Sequence, residues 1–330
     1  MGHSAPATTK KYHETSDTQS NHSFGESQYY YDQFYEPFRN YPAPIFAIPG
    51  NHDSFVLPGT PKAKTPLSTF IRNFCAPKPV VTPEAASLHR TAMTQPGVYF
   101  TLDAPFVRII GLFSNSLEDP GVISNQDGKW PTVPNLQLDF LTAQLQRIKK
   151  EKYAGAVLLA VHHPPFSYGP APRSGGSWGK HTGNSVMLRQ IDTICKAQGV
   201  YPHAFLSGHA HNYQRYTRTV RFAGTDYDVP FVVCGDGGHN VNSLVQAKRG
   251  QPVQEPPPAA RVDYLEVKPA VEAGGLLLEK YDDKNYGYLL VSVDKEQLRI
   301  GFHNVGAGSL AQSRVDMVTV DLASHTMVSN

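Results

Sequence analysis

Hydrophobic and polar positions fall into several distinct periods along this chain, and each period predicts an element. The unbroken apolar run Ala156–Val161 predicts a strand buried on both faces. Leu138, Leu141, Leu145 and Ile148 recur every three to four residues after Asn135, a suitable N-cap. The run closes on Lys149 and Lys150, where cations favour a helix end, so a helix is predicted here. A second helix is predicted over 186–197. Short apolar stretches at 44–48, 204–206 and 231–234 predict strands. Residues 97–102 and 107–113 flank the turn Asp103-Ala104-Pro105 and read as a hairpin, as do 286–293 and 297–302 around Asp294-Lys295. Near the start, Tyr30, Tyr31, Phe34, Tyr35 and Phe38 recur at near-helical spacing and predict an amphipathic segment ending before Pro42.

Strands thus alternate with helices through the middle, and antiparallel pairs follow, which is the order of an α/β sandwich with antiparallel additions. Residues 1–27 are polar, poor in aliphatics and without period, and are expected to form a disordered tail; residues 28–330 are expected to form one domain. Two loop-like stretches stand out, 167–184, dense in Gly, Pro and Ser, and 250–260, with its run Pro256-Pro257-Pro258. No internal repeat is present.

Composition narrows the function classes. The 330 residues are 40% hydrophobic and 18% charged with a formal net charge of +2, and the cations are scattered, so nothing marks a nucleic-acid or membrane partner. This balance leaves room for a small anionic substrate. No stretch approaches the ~20 apolar residues of a membrane span, and the N-terminus shows no apolar signal block, so the sequence leaves localisation open. Cys75, Cys195 and Cys234 are odd in number and widely spaced, the usage of free thiols and not of a disulfide framework.

The chemistry concentrates in three motifs, Gly50-Asn51-His52-Asp53, His162-His163-Pro164 and Gly208-His209-Ala210-His211, each at the C-terminal end of a predicted strand, where α/β sheets open a crevice for ligands. Neutral imidazoles and an amide oxygen suit borderline divalent metals such as zinc, manganese or iron. Asn51 can ligate through its carbonyl oxygen. His52 is placed to protonate a leaving alkoxide, and Asp53 either orients the His52 ring or caps the following turn. His209 and His211 would face opposite ways on an extended strand, and Gly208 is expected to supply the turn that brings both to one cluster.

In that order the motifs resemble those of the calcineurin-like metallophosphoesterase superfamily, and their context is similar to its purple acid phosphatase-like branch. The resemblance covers about residues 29–305. It implies a four-layer α/β/β/α sandwich and hydrolysis of phosphoric esters by metal-activated water at a dinuclear centre. It further implies that Asn51, His162 and His209 bind one metal, His211 the other, and that His52 donates the proton. His162 is preferred to His163 because the first histidine of the family's H-x-P pattern is the ligand. Tyr213, Arg173 and His239 are expected near the substrate; Tyr168, Lys180, His181, Asn115 and Asp236 are weaker neighbours.

The superfamily's two earlier motifs, Asp-x-His and Gly-Asp, do not appear, and Asp17, near the expected Gly-Asp position, lacks the glycine and an apolar strand. The chain is therefore expected to be N-terminally truncated, missing its first strands, to bind at most one ion and to be weakly active or inactive. The alternative is a noncatalytic remnant of the fold that serves as a binding scaffold.

Overall fold

A computed structural model describes residues 25, 27–54, 66–115, 121–167, 184–238, 240–242, 261–262, 276–305 and 312–328. Its centre is an eight-stranded sheet built from β1 (Phe100–Ala104), β2 (Val107–Leu112), β3 (Ala156–Val161), β4 (Ala204–Ser207), β5 (Tyr213–Phe222), β6 (Thr225–Cys234), β7 (Arg261–Val262) and β8 (Leu276–Asp282). The order is β1-β2-β3-β4-β6-β5-β8-β7, with β2, β3, β4 and β6 mutually parallel and the flanks antiparallel. Four further strands, β9 (Tyr286–Val293), β10 (Gln297–Val305), β11 (Gln312–Asp321) and β12 (Met327–Val328), form a second, antiparallel sheet.

Every residue of β3 is buried because the strand is covered on both faces. On one side Val157, Leu159 and Val161 pack with the predicted helices α3 (Leu136–Lys150) and α4 (Ser185–Gln198). On the other, Ala156 and Leu158 pack with Ile300, Phe302 and Val318 of the second sheet. Tyr213 and Phe302 lie in that inter-sheet layer with ring centroids 3.8 Å apart and planes 3° from parallel.

Several expectations need correction. Asn135 does precede α3, but its side chain makes no cap bond; its Oδ1 accepts from Asn125 N–H at 3.0 Å. Asn184 is the working cap, accepting from the N–H groups of Val186 and Met187 at the start of α4. Residues 44–48 do not form a ladder strand, and Phe46 is 44% exposed. Instead the Gln95 side-chain amide pairs with both backbone groups of Ala47, at 2.8 and 2.9 Å, doing for one residue what a neighbouring strand does for many.

The aromatic segment near the start is a 3₁₀ turn (Ser27–Tyr29) followed by a π-helical turn (Tyr31–Tyr35). Tyr30 and Tyr35 bury against Phe70 and Phe74 of helix α2 (Ser68–Phe74) in a small core of their own. Of the expected tail, Gly25 and Ser27 are described, and residues 1–24 and 26 lie outside the described residues. All three cysteines are free.

Candidate metal centre

The three motifs meet above the C-terminal ends of β3 and β4. Parallel pairing sets Val161 opposite Ser207, and Gly208 N–H donates to the His162 carbonyl at 3.0 Å, so the two motif loops leave the sheet tied together. The third motif opens helix α1 (Asn51–Ser54) directly after the extended segment that Gln95 holds. Gly50 must be small. A Cβ there would sit 2.9 Å from His162 Cε1, so its absence is what lets the imidazole lie against the Asn51 turn.

Within this knot His162 Nε2 lies 2.9 Å from Asn51 Oδ1 and 3.3 Å from His209 Nδ1. Asn51 and His209 are buried, while His162 and His211 are partly exposed. Ligands bonded at about 2.1 Å to one ion stand roughly 3.0 to 3.4 Å from one another, the edge of an octahedron or a tetrahedron. The 3.3 Å separation falls on that edge and the 2.9 Å one lies just short of it, and an amide oxygen with two imidazole nitrogens is a donor set that suits a borderline divalent ion. Among the described residues no group of three His, Cys, Asp or Glu side chains is placed to hold a metal; the third donor of the convergent set is an amide.

The turn that aims His209 differs from the expected one. His209 itself adopts φ +60°, while Gly208 is not left-handed. The small residue at 208 lies beside His162 instead, where a Cβ would come 3.7 Å from its Nδ1. A non-glycine residue in this conformation persists where its surroundings over-determine it. Here Asn212 N–H bonds the Ala210 carbonyl at 2.8 Å and Gly235 N–H bonds the Asn212 carbonyl at 3.2 Å. Gly235 is required at that crossing, since a Cβ would come 2.2 Å from Ala210 O.

Asp53 uses its carboxylate on the Gly50 N–H at 2.8 Å and the Tyr30 hydroxyl at 3.3 Å, which braces the turn carrying Asn51. Burial pushes the Asp53 carboxyl above its ordinary range, opposed by those two donors. His52, next to it, is partly exposed. Asp236 is fully buried at the end of β6, where desolvation lifts its pKa to about 6 and the Cys234 thiol donates to it at 3.2 Å.

Tyr213, expected near the substrate, lies instead in the inter-sheet core, 1% exposed, with its hydroxyl donating to Asp316 at 2.7 Å. Arg173 and His239 lie outside the described residues, as do Asp17, Tyr168, Lys180 and His181. Asn115 is buried with its amide on the Val122 carbonyl and a left-handed φ of 61°.

Two further groups are placed here by the structure, His163, which the sequence reading set behind His162, and Asn242, which it did not single out. His163 sits with its ring centroid 4.1 Å from that of His209, and Ser114 holds it twice, accepting from its backbone N–H at 3.0 Å and meeting Nδ1 at 2.7 Å. Gly121 makes room for it, because a Cβ there would overlap His163 Cβ at 2.2 Å. Asn242 bonds the His211 carbonyl through its N–H at 2.8 Å and lies 3.2 Å from His211 Nδ1. No periodic pattern marks Asn242, since it acts from an irregular segment.

A mixed α/β architecture with a large central sheet is that of a metallophosphoesterase-type fold. The chain belongs to the calcineurin-like phosphoesterase family, whose profile matches residues 17–213, more than half of its length. Among curated proteins there is no match. Among solved structures, that of PhoD aligns with 74% of this chain at 14% identity and a TM-score of 0.43, and the chain spans 48% of the length of that one.

Proposed function

We propose that this chain hydrolyses phosphoric esters in the crevice above β3 and β4, with Asn51, His162 and His209 holding one zinc, manganese or iron ion. The convergence of Asn51 Oδ1, His162 Nε2 and His209 Nδ1 at 2.9 and 3.3 Å carries this reading. Bound there, the ion would supply Lewis-acid polarisation of a phosphoryl oxygen. The chain's own groups do the rest. His52, on the same turn as Asn51, protonates the leaving oxygen. Asp53 and Gly50 keep that turn in register with His162, and Arg173 and His239 are assigned to the substrate on sequence grounds. The run Gly208-His209-Ala210-His211-Asn212-Tyr213 supports a place in the purple acid phosphatase-like branch. A single ion gives up the clamp that two ions place on the attacking and leaving oxygens, so turnover is expected to be slow.

The test is metal stoichiometry by mass spectrometry on the whole chain, with hydrolysis of p-nitrophenyl phosphate and bis(p-nitrophenyl) phosphate in added zinc, manganese or iron. One ion per chain and slow hydrolysis abolished in His162→Ala are expected. A chain that binds none of these metals and hydrolyses neither ester would defeat the reading; two tightly held ions with ordinary turnover would defeat the single-ion count.

A further inference from the structure

His162 and His163 are adjacent in sequence, yet their rings part at the end of β3, with planes 86° apart and centroids 5.1 Å from one another. His162 turns to Asn51, whereas His163 is 1% exposed and lies with its ring centroid 4.1 Å from that of His209, the planes 44° apart. Three segments build a seat for it. Parallel pairing of Leu112 with Val161 carries Ser114 to its level, where the Ser114 hydroxyl meets both the backbone N–H and Nδ1 of His163. The Gly121 backbone closes the side, so near that a Cβ there would come 2.2 Å from His163 Cβ and 2.7 Å from Nδ1. Asn184 fixes Gly121 in turn, donating from its side chain to the Gly121 carbonyl at 2.7 Å and from its N–H to the Pro165 carbonyl at 2.9 Å.

His209 has a different anchorage. Ala210 N–H donates to the Gly208 carbonyl at 2.7 Å across it, and with φ at +60° this three-residue turn belongs to the rare, strained class of γ-turn. Such a turn fixes the backbone but not the side-chain torsions, so the direction of the imidazole depends on what it packs against. His162 lies 5.1 Å away, centroid to centroid, and the seated His163 closer. We propose that His163 is a positioning residue for His209: its ring is the wall that keeps His209 Nδ1 turned toward His162 Nε2. Without that wall a ring-sized space opens beside His209, and the donor set has to be ordered as an ion binds instead of beforehand. The benefit to an ion rests on the metal-centre reading; the hold on the His209 ring does not.

Proton–carbon NMR on the metal-free whole chain with labelled histidine, His209 being assigned by comparison with His209→Gln, reads the ring without any ion. One sharp His209 Cε1–H signal, displaced by the neighbouring ring, is expected in the unsubstituted chain. In His163→Ala it should broaden and move toward that of an exposed histidine, and in His163→Phe, which restores a flat wall, it should again be sharp and displaced. An unchanged His209 signal in His163→Ala overturns the proposal. Zinc titration calorimetry should show affinity about 10 to 100-fold weaker in His163→Ala and recovered to within about threefold in His163→Phe. A merely structural role would lower the melting temperature of the metal-free variants and leave zinc affinity within about twofold, which overturns the proposal; so does a loss in His163→Phe as complete as in His162→Ala, which would make His163 a ligand. If the unsubstituted chain binds no zinc, the metal-centre reading fails while the spectra still decide the wall. Should His163→Ala misfold, Ser114→Ala keeps the ring and removes its pin: a broadened His209 signal supports the proposal and an unchanged one overturns it.

Discussion

Gly50→Ala is the smallest change that tests the candidate metal centre. The added Cβ would meet His162 Cε1 at 2.9 Å, Nε2 at 3.1 Å and Nδ1 at 3.2 Å. Carbon atoms rest at about 3.5 to 4.0 Å, so the ring must retreat by roughly 0.6 to 1 Å. That retreat acts on the atom 2.9 Å from Asn51 Oδ1 and opens the donor set. Displacements of this size in ligand-orienting groups cost about 10 to 100-fold in metal affinity. The backbone itself accepts alanine, because Gly50 is not left-handed, so the stability cost is that of local overpacking, about 1 to 3 kcal/mol. Calorimetric titration with zinc, alongside thermal melts of the metal-free chain, separates the two effects. Gly97→Ala serves as the control, since its Cβ would meet nothing nearer than Tyr99 O at 3.6 Å. Zinc affinity within about twofold of the unsubstituted chain would mean that His162 is not a ligand and would refute the reasoning.

Two further outcomes concern the scaffold. Asp192→Ala leaves Arg218 buried without the carboxylate that it meets at 2.7 and 3.0 Å, and about 3 to 5 kcal/mol of stability should disappear in urea melts, whereas a loss below about 1 kcal/mol would show that the pair is dispensable. His203 accepts from Val157 N–H and lies 3.1 Å from the Leu322 carbonyl, and burial lowers its pKa from 6.5 to about 4. The unfolded chain takes up a proton near pH 6.5 and the folded chain does not. Stability is therefore fully present above pH 6.5 and falls by about 3 kcal/mol as pH drops to 4. The stacked His325, its own pKa lowered to about 3 by burial and by His203, adds to the slope, and Asp321 opposes it. Urea melts between pH 4.5 and 7.5 should show the slope flatten in His203→Gln; parallel curves would contradict the assignment.

The sequence made the parallel centre legible because β3, α3 and α4 bury what their apolar period says they bury. It hid β5 for a physical reason. The inward positions of that strand run Gln214, Tyr216, Arg218, Val220 and Phe222, and two of the five are polar groups buried by pairing with Tyr216 and Asp192. A hydropathy pattern reads such positions as exposed. The reverse error occurred at 44–48, where an apolar run looks like a strand but has Gln95 in place of a neighbour. At the site, motif order was readable, since each motif follows a fixed strand or turn. The seat of His163 and the left-handed His209 were not, because both depend on contacts between segments far apart in sequence.

The backbone at His209 also sets which mutational routes the centre has open. With φ at +60°, β-branched residues are strongly disfavoured there, and the residues that enter this region most readily besides glycine are asparagine and aspartate. Both carry oxygen donors. If His209 ligates as proposed, one substitution would exchange a nitrogen donor for an oxygen one without rebuilding the loop, and oxygen donors suit harder ions such as manganese or magnesium. Under the proposed reading, the same torsion that aims the imidazole would leave metal preference open to change by a single substitution.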